Sequence, residues 1–235
     1  MKDSNEIKIA QKLIRCKSIA PKADSALNVV EKECKIAGFK CTKLRFSEKG
    51  YDSISNLYAE IGNGKPHFSF AGHVDVVPAN KKDWTVDPFK GLIKNGYLWG
   101  RGAVDMKSAV ACFLAASKSY LEENDNFKGK ISLLITGDEE QYAKNGTVKV
   151  LKWLKKKKIK INNCLVGEPT NLNVLGDQIK IGRRGGYNGI VTVFGKEGHS
   201  AWPNRTKNPV SALIKMLTNI DKKTLDKGTK HFQPS

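Results

Sequence analysis

Apolar residues recur at two periods along this chain, and the alternation of those periods predicts an α/β fold. Ile7, Ala10, Leu13 and Ile14 fall at helical spacing, so residues 4–15 form a helix. Ala26, Leu27, Val30, Cys34 and Ala37 make a second stripe, with Asp24 as its N-cap and Gly38 as its stop. Residues 39–46, 54–61 and 67–73 read as strands, the last one ending on a histidine. A long loop follows, rich in Pro, Gly, Asp and Trp. A helix then runs from Asp105 through Met106, Ala109, Val110, Phe113, Leu114 and Leu121. "ISLLIT" (131–136) is an apolar strand, residues 146–157 are helical, and "NCLVG" (163–167) is a further short strand. Apolar strands alternating with amphipathic helices predict a mixed, largely parallel sheet flanked by helices.

The texture changes after Asn171. The stretch up to "GKEGHSAWP" is strand-rich and Gly-rich, and Val210, Leu213, Met216, Leu217 and Ile220 then share one helix face. The expectation is two domains: residues 1–176, and the start of a smaller α+β domain over residues 177–235. That helix face wants a sheet, and the chain ends before one is supplied.

Composition narrows the function classes. The net charge of +18 comes from 35 Lys and only 6 Arg, spread along the chain. Nucleic-acid readers favour Arg for bidentate contacts, so no nucleic-acid partner is expected. The dense run "KWLKKKKIK" reads as a solvated helix face. A field of this sign attracts a small anionic substrate. Five scattered cysteines without a CxxC pair fit reduced thiols rather than a disulfide framework. No apolar run reaches the ~20 residues of a bilayer span. The polar start lacks the order of a secretory signal. A soluble, cytoplasmic protein with no membrane partner is expected.

The chemistry-bearing residues sit where strands end. "FSFAGH" leads to His73 and Asp75, "ISLLITGDEE" to Asp138, Glu139 and Glu140, and "NCLVGEP" to Glu168; Asp105 stands at a loop-to-helix junction. Open α/β sheets bind ligands beyond the carboxyl ends of their strands. If the strands are neighbours, one imidazole and several carboxylates converge there without a basic residue among them. Crowded carboxylates need a cation, and one His among carboxylates suits zinc, cobalt or manganese better than magnesium. Taken alone, His73 reads first as a buried strand end satisfied locally, and only second as a ligand. On an extended segment His73 and Asp75 point to one side, which lets Asp75 take a hydrogen bond from the ring nitrogen that faces away from a metal. Adjacent Glu139 and Glu140 diverge, so one can bind metal while the other serves as a base.

Together "FAGHVDVVP", "WGRGAVDMKS", "TGDEE", "VGEPT" and "IGRRGGYNG…GKEGHSAWP" resemble the M20 metallopeptidases, a family of di-zinc aminoacylases and carboxypeptidases. The resemblance spans residue 70 to about residue 210, in family order. It implies two zinc ions, for which cobalt can substitute. His73, Asp105 and Glu168 would hold one, and Asp105 would bridge to a second held also by Glu140. It further implies Glu139 as general base, Asp75 as the clamp on His73, and a cis peptide at Asp105–Met106. Arg183 would bind a substrate carboxylate. His199, in the smaller domain, would reach a neighbouring subunit's site to stabilise the oxyanion, which implies a homodimer formed through a lid. The implied activity is hydrolysis of the amide of an acylated amino acid, with a succinylated diamino acid first and acetylated ornithine second.

Four departures stand out. The branch acting on succinylated substrates has Ser at Gly186, Tyr at Trp202 and His at Asn204; all lie on the substrate side, not the metal side. Family members are also longer, and carry one more zinc-binding histidine than this chain supplies; His231 comes too early for that role. The expectation is a truncated chain whose second zinc site lacks a protein ligand, and whose short form is either inactive or binds at most one zinc.

Overall fold

The apolar runs pair into one five-stranded sheet in the computed structural model, which describes residues 4–183, 185–186 and 189–234. Positions 184, 187 and 188 of the "IGRRGGYNG" motif lie outside the described residues. The elements in chain order are α1 (Asn5–Arg15), α2 (Asp24–Ile36), β1 (Lys40–Phe46), β2 (Ile54–Asn63), β3 (His67–His73), β4 (Leu92–Lys94), β5 (Tyr97–Trp99), α3 (Ser108–Glu123), β6 (Gly129–Thr136), α4 (Thr147–Lys156), β7 (Asn163–Val166) and α5 (Pro209–Asp221). The sheet order is β1-β2-β6-β3-β7. β1 and β2 pair antiparallel, as do β2 and β6. β3 runs parallel to both β6 and β7. The sheet is therefore mixed, and its parallel half is the half that ends in acids.

Connections explain why helices cover both faces. From β3 the chain steps one way through α3 to β6, then back the other way through α4 to β7, so the two crossovers fall on opposite sides. Ile9, Leu13, Leu27, Val30, Val110 and Leu114, from α1, α2 and α3, form the larger core with Leu57, Phe70, Leu133 and Ile135. Val150 and Leu154 of α4 pack on Leu44, Tyr58 and Leu134 across the sheet. No helix among the described residues is long and apolar enough to cross a membrane.

Three local expectations need correction. Asp24 is the first helical residue of α2, and Ala23 holds the cap position; an acid in the first turn is favoured by the positive end of the helix dipole. Helix α3 begins at Ser108, not Asp105, because Asp105 and Met106 are non-helical and the peptide between them is cis, as the resemblance implies. The long loop contains the β4–β5 hairpin, with Asn95 and Gly96 both at positive φ. Asn-Gly is the preferred pair for such a turn, so "IKNGYLW" carried the signal.

A polar network pins the amino-terminal end of the parallel strands. His67 is buried; its Nδ1 lies 2.8 Å from the Lys160 carbonyl and its Nε2 2.8 Å from Ser132 Oγ. The carbonyl only accepts, so Nδ1 carries the proton, and Nε2 is left facing the Ser132 hydroxyl, which also lies 3.0 Å from Ser69 Oγ. Burial holds this imidazole's pKa below its ordinary value. A histidine kept neutral in the fold binds its proton first in the unfolded chain, near pH ~6.5. Stability from this site is present above that pH and is lost as pH falls through it. Urea midpoints at about pH 7.5 and about pH 5.5 should drop on acidification, and drop less in His67→Asn; equal slopes would contradict this.

A second compact unit starts at Asn171. The strands expected between 177 and 200 are absent among its described residues; one isolated bridge, Lys196 to Lys207, takes their place. A strand needs partners for its amides and cover for its apolar side. Among the described residues of this unit that bridge is the only pairing, Ile181, Ile190 and Phe194 are exposed, and α5 buries none of its residues.

Candidate metal centre

His73 is the last residue of β3 and lies level with Thr136, the last residue of β6. Ala71 pairs with Val166, so β7 ends beside them and delivers Glu168 two residues later. Three parallel carboxyl ends thus open on one crevice, within the first unit. The His73 ring is 1% exposed. Its Nδ1 lies 3.0 Å from the Asp75 carbonyl oxygen and 3.5 Å from Asp75 Oδ1. Its Nε2 lies 3.0 Å from Asp105 Oδ1, 3.6 Å from Glu168 Oε1 and 3.8 Å from Glu139 Oε2. Ligand atoms of His73, Asp105 and Glu168 lie within 4.8 Å of one another, as do those of His73, Glu139 and Glu140.

Asp75 differs from its sequence-based expectation. Its carboxylate is spent mainly on backbone: Oδ2 accepts from the amides of Glu139 at 3.0 Å and Glu140 at 2.9 Å. The ring is held chiefly by its main-chain carbonyl, while the buried Oδ1 has no hydrogen-bond partner. One residue therefore orients the imidazole and sets the start of the acidic loop. Asp138 is not among the converging acids. It is buried, and it accepts from the Ala143 and Asn145 amides at 3.2 and 2.8 Å, stapling the loop that presents Glu139 and Glu140.

The donor set fits a cation. The Asp75 carbonyl only accepts, so Nδ1 carries a proton, and Nε2 faces the carboxylates of Asp105, Glu168 and Glu139. Burial alone would lower the His73 pKa, but the hydrogen bonds and charge of Asp75, with Glu139, push it up to about 9. Burial, then the Asp105 charge, raises Glu140; the same two effects, in the same order, raise Glu168. Among the described residues, no Lys or Arg pairs with these carboxylates. A divalent ion would take the place of the proton at Nε2 and offset the carboxylate repulsion.

Two supporting residues were not legible beforehand. Met106 Sδ accepts from the His73 amide at 3.3 Å. A Cβ on Gly72 would lie 2.4 Å from Met106 Cε, and one on Gly167 2.7 Å, so both glycines clear space for that side chain. Lys107 is fully buried and donates from Nζ to the Leu13 and Cys16 carbonyls at 2.9 and 3.0 Å, tying the Asp105 turn to the end of α1. Burial lowers its pKa to about 8. Nothing in the spacing of "DMKS" marks a lysine as internal.

His199 and Arg183 belong to the second unit, where both are exposed. His199 Nδ1 accepts from the Ala201 amide at 3.1 Å. His231 is also exposed there and is not a member of either group of metal-ligating residues.

Comparison with known proteins follows the same motifs. The model of "Peptidase family M20/M25/M40" matches residues 69–232. The chain is 54% identical over 228 residues to the succinyl-diaminopimelate desuccinylase of Parvibaculum lavamentivorans, covering 97% of this chain and 57% of that protein. It is 53% identical over 232 residues to the succinyl-diaminopimelate desuccinylase of Pelagibacter ubique, covering 98% and 60%. The chain thus spans under two thirds of the length of these curated relatives. Among solved structures, an M20 family metallo-carboxypeptidase from Sulfolobus solfataricus shares 26% identity at a TM-score of 0.57, over 70% of this chain and 37% of that one. Human carnosine dipeptidase 1, at 20% identity and TM-score 0.61 over 70% and 38% of the two chains, shares the fold.

Proposed function

We propose, because the chain belongs to the peptidase family M20/M25/M40, that the whole protein is a metal-dependent hydrolase of a linear amide. It removes the succinyl group from N-succinyl-LL-2,6-diaminopimelate. The observation that carries the reaction type is the convergence of His73, Asp105 and Glu168, and of His73, Glu139 and Glu140, at the ends of parallel strands. The substrate rests on the names of relatives about half identical in sequence.

In this reading His73, Asp105 and Glu168 would hold one zinc ion, and Asp105 and Glu140 would hold a second. When bound, such an ion lowers the pKa of a water toward ~7 and polarises the amide carbonyl. Glu139, half exposed at the mouth of the cluster, takes the proton from the attacking water and returns it to the departing amine. Asp75 holds both the His73 ring and the backbone from which Glu139 projects. Arg183 and His199 would serve the substrate carboxylate and the oxyanion, His199 from the second subunit of a homodimer. Gly186, Trp202 and Asn204 would then shape the acyl preference.

The test is substrate competition in the whole protein. It should cleave the succinylated diamino acid at least about 100-fold faster, by kcat/KM, than acetylated ornithine; one deleted hydrogen-bonding group alone discriminates on that scale or more. Chelation should abolish turnover, and zinc or cobalt restore it. Preference for the acetylated substrate defeats the assignment, and turnover that survives complete metal removal defeats the mechanism.

A further inference from the structure

Away from the metal centre, α2 and β1 bring together two thiols that neither the reaction nor the fold core requires as thiols. The chain leaves α2, turns through Gly38 and enters β1, and the Phe39 amide bonds back to the Cys34 carbonyl at 2.9 Å. β1 then runs back beside the helix. Cys41 points at it: its Sγ lies 3.9 Å from the Glu31 carbonyl and 3.8 Å from the Phe39 carbonyl. Glu31 is one helical turn before Cys34, and helical side chains lean toward the N-terminus, so the Cys34 side chain leans over that same turn. Both side chains thus lie on the Glu31 turn, with Cys41 packed against the core cluster that contains Cys34. Cys34 is sealed in the larger core, and Cys41 packs on it while partly exposed.

From this juxtaposition we infer that Cys34 and Cys41 form an oxidisable dithiol, closed to an intramolecular disulfide by a small-molecule disulfide. The exposed member reacts first. The Cys41 thiolate attacks one sulfur of the oxidant, forming a mixed disulfide and expelling one thiolate. Cys34 then passes its proton to that thiolate and attacks the Cys41 sulfur, releasing the second thiol. Two protein thiols are oxidised, and one small disulfide is reduced to two thiols. The sulfurs need to close to the ~2.05 Å of the bond. The acidities support this order of attack. The Cys34 thiol, by donating to Cys41, holds Cys41 below its ordinary range against the opposing pull of burial; Cys34 is pushed up by the same hydrogen bond and by burial. Lys35 and Lys43 flank Cys41, each paired with Glu31 at 2.8 and 2.7 Å.

The sequence makes the product easy to read. Trypsin cuts after Lys32, Lys35, Lys40 and Lys43, which places the two cysteines on separate tripeptides, ECK and CTK. The folded chain is treated with excess oxidised glutathione at neutral pH, remaining thiols are alkylated, and the peptides are weighed. The expected result is ECK joined to CTK, lighter than the sum by two hydrogens, and separated again by a reductant. Cys34→Ser should stop at a glutathione adduct on Cys41, and Cys41→Ser should leave Cys34 reduced. A wild-type chain that keeps glutathione on Cys41 with Cys34 free, or keeps both thiols, overturns the inference. If Cys34→Ser does not fold, alkylation of the native wild type decides the order: Cys41 should react at least about 10-fold faster than Cys34, and equal rates count against it.

Discussion

Glu139→Gln, made in the whole protein, is expected to lower kcat about 1,000-fold while leaving KM and metal content near wild type. General acid–base groups contribute about 100- to 10,000-fold, and the amide removes the proton acceptor at little change in shape. The side chain is half exposed, and its backbone amide stays bound to Asp75 Oδ2, so the loop has no reason to move. The split matters because a ligand would behave differently: loss of a metal ligand lowers metal content together with rate. Steady-state kinetics with metal analysis on the same preparation checks both. A variant that keeps most of its kcat, or one that loses metal in proportion to rate, would remove Glu139 from the role of base.

Asp75→Ala is expected to weaken metal binding about 10- to 100-fold, the usual effect of deleting a group behind a ligand. It should also cost about 1–3 kcal/mol of stability by leaving buried amide donors unpaired. The carboxylate is wholly buried and two successive amides depend on it. Asp75→Asn separates the two effects. Its side-chain oxygen can still accept from Glu139 and Glu140, so stability should largely return, while the negative charge beside the His73 ring does not. Metal titration and urea unfolding on both variants give the answer. An alanine variant with unchanged metal affinity would mean that the main-chain carbonyl of residue 75 orients the ring by itself.

Much of this arrangement was readable in the chain, for reasons that differ between residues. His73 and Glu168 follow apolar runs, and a run of that kind in an α/β pattern ends at the crevice edge. Their convergence needed only that β3 and β7 be neighbours. Asp138 misled because all three acids of "GDEE" have the same formal chemistry; which of them turns inward depends on where the Ala143 and Asn145 amides lie. Lys107 was hidden for a related reason. A lysine is almost never internal, and only the carbonyls at the end of α1 make this one so. The expected strands near Ile181 and Ile190 carry the right alternation. Alternation reports what a segment would bury, and the pairing itself requires another segment to bury it against.

Local information in the sequence decided the helices and sheet strands of the first unit, and the family that the motifs spell. Periodicity, turn residues and short-range spacing are all written within a few positions of one another. Tertiary structure alone decided which oxygen of Asp75 faces what, which acids meet at Nε2 of His73, and that Cys41 lies against the helical turn that precedes Cys34. Those outcomes depend on distances between segments that pack only after the sheet forms, and no local pattern encodes such distances.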